Sequence, residues 1–192
     1  MAQSCSVLST KAQKAMYGNA QKAMYGVIRK IRQFNLPFEC QLDLFDKVVL
    51  PVLLYGCEIW GYENIDIIER VHLRYLKHIL NLKSSTPSYM IYGETGRFPL
   101  HINIYSRMIK YWANLVNGKE NKLCRIVYMY LRKQHDKEQM KNSWISFVQK
   151  IFDRCGLSNM WYEHEHHFYN VEWITATVKQ RLKDQYIQKW NN

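Results

Sequence analysis

Arg70, Arg74 and Lys77 stand at i, i+4 and i+7 of a stretch with helical periodicity, so a helix there sets three cations in one row. Such a row can follow the phosphates along one strand of a duplex, a contact that senses charge and spacing rather than bases. Lys22, Arg29 and Arg32 make a second candidate set, on the outward side of an earlier helix. The alternative for both sets is an ordinary solvated face, with Glu69 beside the first. The case for catalysis is weaker. Metal-assisted phosphoryl transfer needs closely spaced carboxylates to hold two ions. The six aspartates, Asp43, Asp46, Asp66, Asp136, Asp153 and Asp184, include no adjacent pair and no Tyr-x-Asp-Asp.

Other chemistry-bearing residues give isolated signals. His164-Glu-His-His167 invites a zinc site, yet such a site needs ligands from two segments and only Cys155 stands upstream nearby, so a polar, pH-sensitive loop is the reading and no metal or cofactor is assigned. Gly93-x-x-Gly96 lacks the Gly-Lys-Ser/Thr ending of a phosphate cradle and reads as a tight backbone turn. Tyr55, Trp60 and Tyr62 offer rings for base stacking, although Tyr55, inside an apolar run, is expected in the core. Glu58 and Glu94 are expected in caps or salt bridges, the latter near Arg97. No Ser-His-Asp order with its supporting motifs, no H-E-x-x-H and no nucleophile elbow is present.

These residues sit in 192 residues with 47% hydrophobic content, six Trp and fourteen Tyr, enough to bury a core and unlike a disordered chain. The formal charge of +11 favours polyanionic partners, nucleic acid before an anionic membrane surface. Residues 97–192 carry +8 of it and residues 1–96 carry +3. Five scattered cysteines without a C-x-x-C fit a reducing compartment. Val48 to Tyr55, interrupted by Pro51, is far too short to span a bilayer. With no secretory signal, a soluble protein of the cytoplasm or nucleus is expected; oligomeric state is left open.

Helices must position the candidate groups. Residues 12–18 recur as residues 20–26, a local duplication of which one copy belongs to a helix from Ala20 to Gln33, with Ala20, Met24, Val27, Ile28 and Ile31 inward. The first ten residues read as frayed. Pro37 opens the next element, and Gln41 to Tyr55 repeats Leu42, Phe45, Val49, Val52 and Leu53 helically, with Pro51 kinking or restarting it. Asn64 is the expected N-cap of a helix burying Ile65, Ile68, His72, Leu76 and Ile79. Thr86-Pro87 starts a short helix, with Pro87 as its first residue, ending near Gly93. Ile102 to Val116 follows, with Ile102, Tyr105, Ile109, Trp112 and Leu115 on one stripe. Then come Lys122 to Lys133, Ser143 to Arg154 stopped at Gly156, and residues 171–190 with Trp173, Val178, Leu182, Tyr186 and Trp190 inward. No strand alternation or hairpin turn appears, so the fold class is all-α, a multi-helix bundle.

Two blocks are more specific than composition. Leu50-Pro-Val-Leu-Leu-Tyr-Gly-Cys-Glu-Ile-Trp-Gly61, followed by Tyr92-Gly-Glu-Thr-Gly-Arg-Phe-Pro-Leu100, resembles the region downstream of the polymerase palm in reverse transcriptases of LINE-type, non-LTR retrotransposons. Lys22 to Gly26, Gln41 to Phe45, Tyr111-Trp112 and Arg181 to Trp190 extend the resemblance. It implies thumb-like helices over residues 20–82 that close on template and growing strand, and a helical post-polymerase region over residues 83–192; the repeat and the lack of periodicity mark residues 1–19 as a poorly ordered or duplicated start. It also implies sequence-independent binding of RNA–DNA hybrid, RNA or DNA. With no palm carboxylates in these residues, no polymerase activity is expected of them. An independent helical structural or protein-interaction module without a nucleic-acid role is the alternative.

Overall fold

The computed structural model describes residues 2–63, 65–138, 143–162 and 168–191. The all-α reading holds: among the described residues there is no strand. In chain order the elements are α1 (Ala2–Phe34), α2 (Phe38–Leu44), a π-helical turn (Phe45–Val49), α3 (Leu50–Leu53), α4 (Cys57–Trp60), α5 (Ile65–Ile79), α6 (Ser88–Thr95), α7 (Leu100–Val116), α8 (Leu123–Glu138), α9 (Trp144–Arg154), α10 (Ser158–Tyr162) and α11 (Val171–Asn191). They form two compact units, one of Met1–Tyr55 with Ile65–Arg97 and one of Gly56–Asn64 with Phe98–Asn192.

In the first unit, α1 runs unbroken through both copies of the heptapeptide. Ala, Gln, Lys and Met favour helix, and no proline intervenes before Pro37. Among the described side chains only the second copy enters the core: Ala20 and Met24 are buried, followed by Val27, Ile28 and Ile31, as the periodicity predicts. The helix ends at Asn35, whose φ of 45° is left-handed, a conformation Asn tolerates better than most residues. Pro51 does interrupt the next helix. It has no N–H to close a bond onto the carbonyl four residues back, and the turn ahead of it widens to π, with Leu50 N–H reaching back to Phe45 O. The widened turn brings Phe45 and Val49 inward. Phe45 lies against His72 and Tyr75 of α5, at centroid distances of 5.2 and 4.7 Å. Tyr55 is a correction: expected in the core, it is 77% exposed, because α3 stops at Leu53 and the chain turns outward into Gly56 at φ 65°.

In the second unit α7 is the axis. Burial takes in Leu100, Ile102, Ile104, Tyr105, Met108, Ile109, Trp112, Ala113 and Val116, wider than one stripe, because α4, α8, α9 and α11 all pack on it. Gly61, just after α4, must be glycine: a Cβ there would stand 2.4 Å from Ile104 Cγ2. Trp112 makes aromatic contacts with Phe152, Trp161 and Tyr169 and donates Nε1–H to Tyr128 Oη at 2.9 Å. Ser143 caps α9 with a reciprocal Ser146 bond, and Gly156 ends it at φ 64° with Leu157 N–H on Phe152 O at 2.9 Å, as the sequence signals. Three expectations change. Pro87 is the N-cap of α6 rather than its first residue. Trp173 is half exposed, Ile174 taking the inner position in register with Val178 and Leu182. Leu115 is only partly buried. The Asn64 cap, the His164–His167 cluster and the Trp190 side chain lie outside the described residues.

Replacing Trp112→Ala should lower unfolding free energy by about 3 to 5 kcal/mol in urea melts, since it removes the centre of an aromatic cluster. Thiol chemistry offers a second check. Cys40 and Cys124 are exposed, whereas Cys57 and Cys155 are buried. Burial, opposed by Arg107, pushes the Cys57 thiol up from 9.0 to about 11. Below that lower value both folded and unfolded chains keep the proton; above it the unfolded chain releases it first, so this contribution to stability falls with rising pH until about 11. Alkylation near neutral pH, read by peptide mass, should mark Cys40 and Cys124 well before Cys57 and Cys155. Alkaline melts of Cys57→Ala should show a shallower loss over that window.

Candidate nucleic-acid interface

The candidate face belongs to α5 in the first unit. Its inward side is Ile68, Val71, His72, Tyr75 and Leu76, all buried. Tyr75 donates its hydroxyl to the Gln41 carbonyl, and burial raises its phenol above the ordinary range. With those five side chains inward, the helical period turns Arg70 and Arg74 outward, and both are exposed. Glu69, the carboxylate beside them in sequence, is directed elsewhere. It accepts from the Tyr92 hydroxyl and lies 3.2 Å from His72 Nδ1. Among the described residues no carboxylate pairs with Arg70, Arg74 or Lys77. Arg97 pairs with Asp46 on the π-helical turn and not with Glu94, its expected neighbour, and Glu94 is exposed.

The end of α5 completes the face. Asn81 takes a φ of 53°, and Leu82 N–H bonds back to Lys77 O at 2.9 Å, a left-handed closure that folds the chain over the last turn. Leu82 and Ser84 thereby return beside Lys77, whose ammonium donates to the Ser84 carbonyl. The result is an open cleft of about 410 Å³ lined by Arg70, Leu73, Arg74, Lys77, His78, Leu82 and Ser84. All three predicted cations of α5 share it. Arg70 spends its Nε–H on the Asp66 carbonyl at 3.3 Å, so the guanidinium is steadied while its remaining donors face outward.

Of the second candidate set, Arg32 adjoins the cleft: its Nη2 lies 3.2 Å from His78 Nε2. Since arginine can only donate, Nε2 accepts and the ring proton of neutral His78 is on Nδ1. Lys22 and Arg29 are exposed on α1 and do not line the cleft. His78 was not singled out from the sequence, although it continues the i, i+4 row of Arg70 and Arg74. Of the rings proposed for stacking, Tyr55 of the first unit does not line the cleft; in the second unit Tyr62 lies 5.4 Å from Phe147, and burial pushes its phenol up to about 12.

The cleft has the chemistry of an anion contact: fixed cationic donors, a small apolar floor from Leu73 and Leu82, and open access. Among the described residues no group of three His, Cys, Asp or Glu is placed to hold a metal ion, and none of their helices is long and apolar enough to cross a membrane. Compared with known family models, curated proteins and solved structures, the chain matches none of them.

His78 provides a local test. Burial first, and the Arg32 charge second, hold its pKa below the ordinary 6.5. Both disfavour the imidazolium, so NMR titration should show a midpoint below that value, and Arg32→Gln should move it upward. A midpoint unmoved by Arg32→Gln contradicts the contact.

Proposed function

We propose that this chain is a non-catalytic, phosphate-gripping helical element, akin to the thumb and following helical region of a non-LTR retrotransposon reverse transcriptase. It holds RNA–DNA hybrid, RNA or DNA without regard to sequence, in the cytoplasm or nucleus where such strands occur. The observation that carries this reading is the cleft on α5, where Arg70, Arg74 and Lys77 converge without a neutralising carboxylate among the described residues. The Leu50–Gly61 and Tyr92–Leu100 blocks add the family resemblance, and the +11 charge adds long-range attraction.

Mechanistically the grip is electrostatic. A phosphate entering the cleft exchanges condensed counterions for guanidinium and ammonium donors, and the released ions supply the driving force. Arg70 and Arg74, one turn apart, meet successive backbone positions; Arg32, reached through His78, extends the positive field across to α1. Nothing in this contact distinguishes bases, so the expected outcome is slower dissociation of any suitable duplex. The chain has no adjacent aspartate pair to organise two metal ions, so nucleotide incorporation is not assigned to it.

Titrating labelled RNA–DNA hybrid at several salt concentrations tests the reading. Log affinity should fall steeply with log salt, and the triple variant Arg70→Glu, Arg74→Glu, Lys77→Glu should flatten the slope by about 2 to 3, with helicity unchanged by circular dichroism. Salt-independent binding, or a triple variant with the parent slope, contradicts it.

A further inference from the structure

Helix α8 turns one side, with Tyr128 and Arg132, into the fold and leaves an apolar side exposed among the described residues. Tyr128 and Arg132 face the interior of the second unit, the first accepting the Trp112 indole N–H and the second lying 3.8 Å above the Trp161 ring. On the opposite side Leu123, Ile126, Val127, Tyr130 and Leu131 recur at three- and four-residue steps and are 39% to 72% exposed. This is the pattern of a helix that packs against a second helix along a continuous ridge. Five adjacent exposed side chains of this size exceed the scattered apolar groups normal on a surface.

Charge identifies what fits there. Lys122 and Lys133 fall along one edge of the ridge, Lys137 falls at its C-terminal end, and all three are exposed. The carboxylate of Asp136 is drawn to Arg132, away from the ridge. We propose that this face of α8 docks an amphipathic helix from a partner protein, one with an aliphatic ridge flanked by Glu or Asp. A second copy fits poorly. Antiparallel pairing sets the lysine edge against the same edge of its mate, and each chain carries +11. A lipid surface fits less well than protein, because Gln134 lies within the stripe, its amide donating to the Tyr130 hydroxyl at 2.8 Å, and such a pair keeps satisfied partners in a protein interface but not among acyl chains.

The test uses the full chain and a labelled designed helical peptide with leucines at i, i+3, i+4 and i+7 and glutamates on both flanks; its sister peptide carries lysines instead. By fluorescence anisotropy the glutamate peptide should saturate with a Kd on the order of 10 μM and the lysine peptide should bind at least about tenfold more weakly. Ile126→Ser with Tyr130→Ser, which leaves the charge unchanged, should weaken the glutamate peptide at least about tenfold. Lys122→Glu with Lys133→Glu should abolish the preference between peptides. The α5 triple variant should bind it as the parent does, which separates this face from the phosphate cleft. No saturation below about 1 mM, or equal loss in the α5 variant, overturns the proposal. So does co-sedimentation with phosphatidylserine vesicles, or concentration-dependent dimerisation in sedimentation, that the Ile126/Tyr130 variant abolishes.

Discussion

The burial of one side of α5 is the constraint on which the cationic face depends. Once Ile68, Val71, His72, Tyr75 and Leu76 are committed to the interior, a helix with a 3.6-residue period leaves Arg70 and Arg74 no orientation but outward. Phe45 stacking on His72 and Tyr75 fixes the rotation of the helix about its own axis, and the Tyr75 hydroxyl on Gln41 fixes its height. Glu69 faces His72 and Tyr92 and makes no ion pair with the arginines, while Asp66 stays exposed one turn before Arg70.

The second unit depends on a different constraint, the all-round burial of α7. Its aromatic centre at Trp112 is held by a hydrogen bond to Tyr128, and Asn117 ties its end to Tyr169 through both amide groups, at 2.7 and 3.0 Å. Arg181 of α11 donates to the free carbonyls of Cys155 and Gly156 at the end of α9, satisfying groups a helix end leaves without partners. These polar ties let loop termini approach an apolar core without stranding backbone groups.

Much of this architecture is legible in the sequence, and the failures have physical causes. The inward set of α1 and the outward set Arg70 and Arg74 follow from period alone, and the Ser143 and Gly156 boundaries follow from cap chemistry. Tyr55 and Trp173 were misplaced because their size argues for the core, while position on the turn or helix decides it. Lys77 reads as the third cation of the row; its tie to Ser84 arises because Asn81 takes a left-handed conformation that returns the chain. The cleft was half legible. Its cations share a helix face, whereas Leu82 and Ser84 arrive by that return, and the Arg32–His78 contact joins residues far apart in sequence. The exposed ridge of α8 is in the spacing too, but periodicity does not say that the core takes the side of Tyr128 and Arg132 instead.

The central claim is that phosphates meet the outward face of α5. Its most direct measurement is an NMR titration of a short RNA–DNA duplex into the isotopically labelled chain, following arginine Nε–Hε and histidine ring resonances. The account predicts saturable shifts at Arg70, Arg74 and His78, with Arg32 following. Shifts confined to the second unit, or none that saturate, would contradict it.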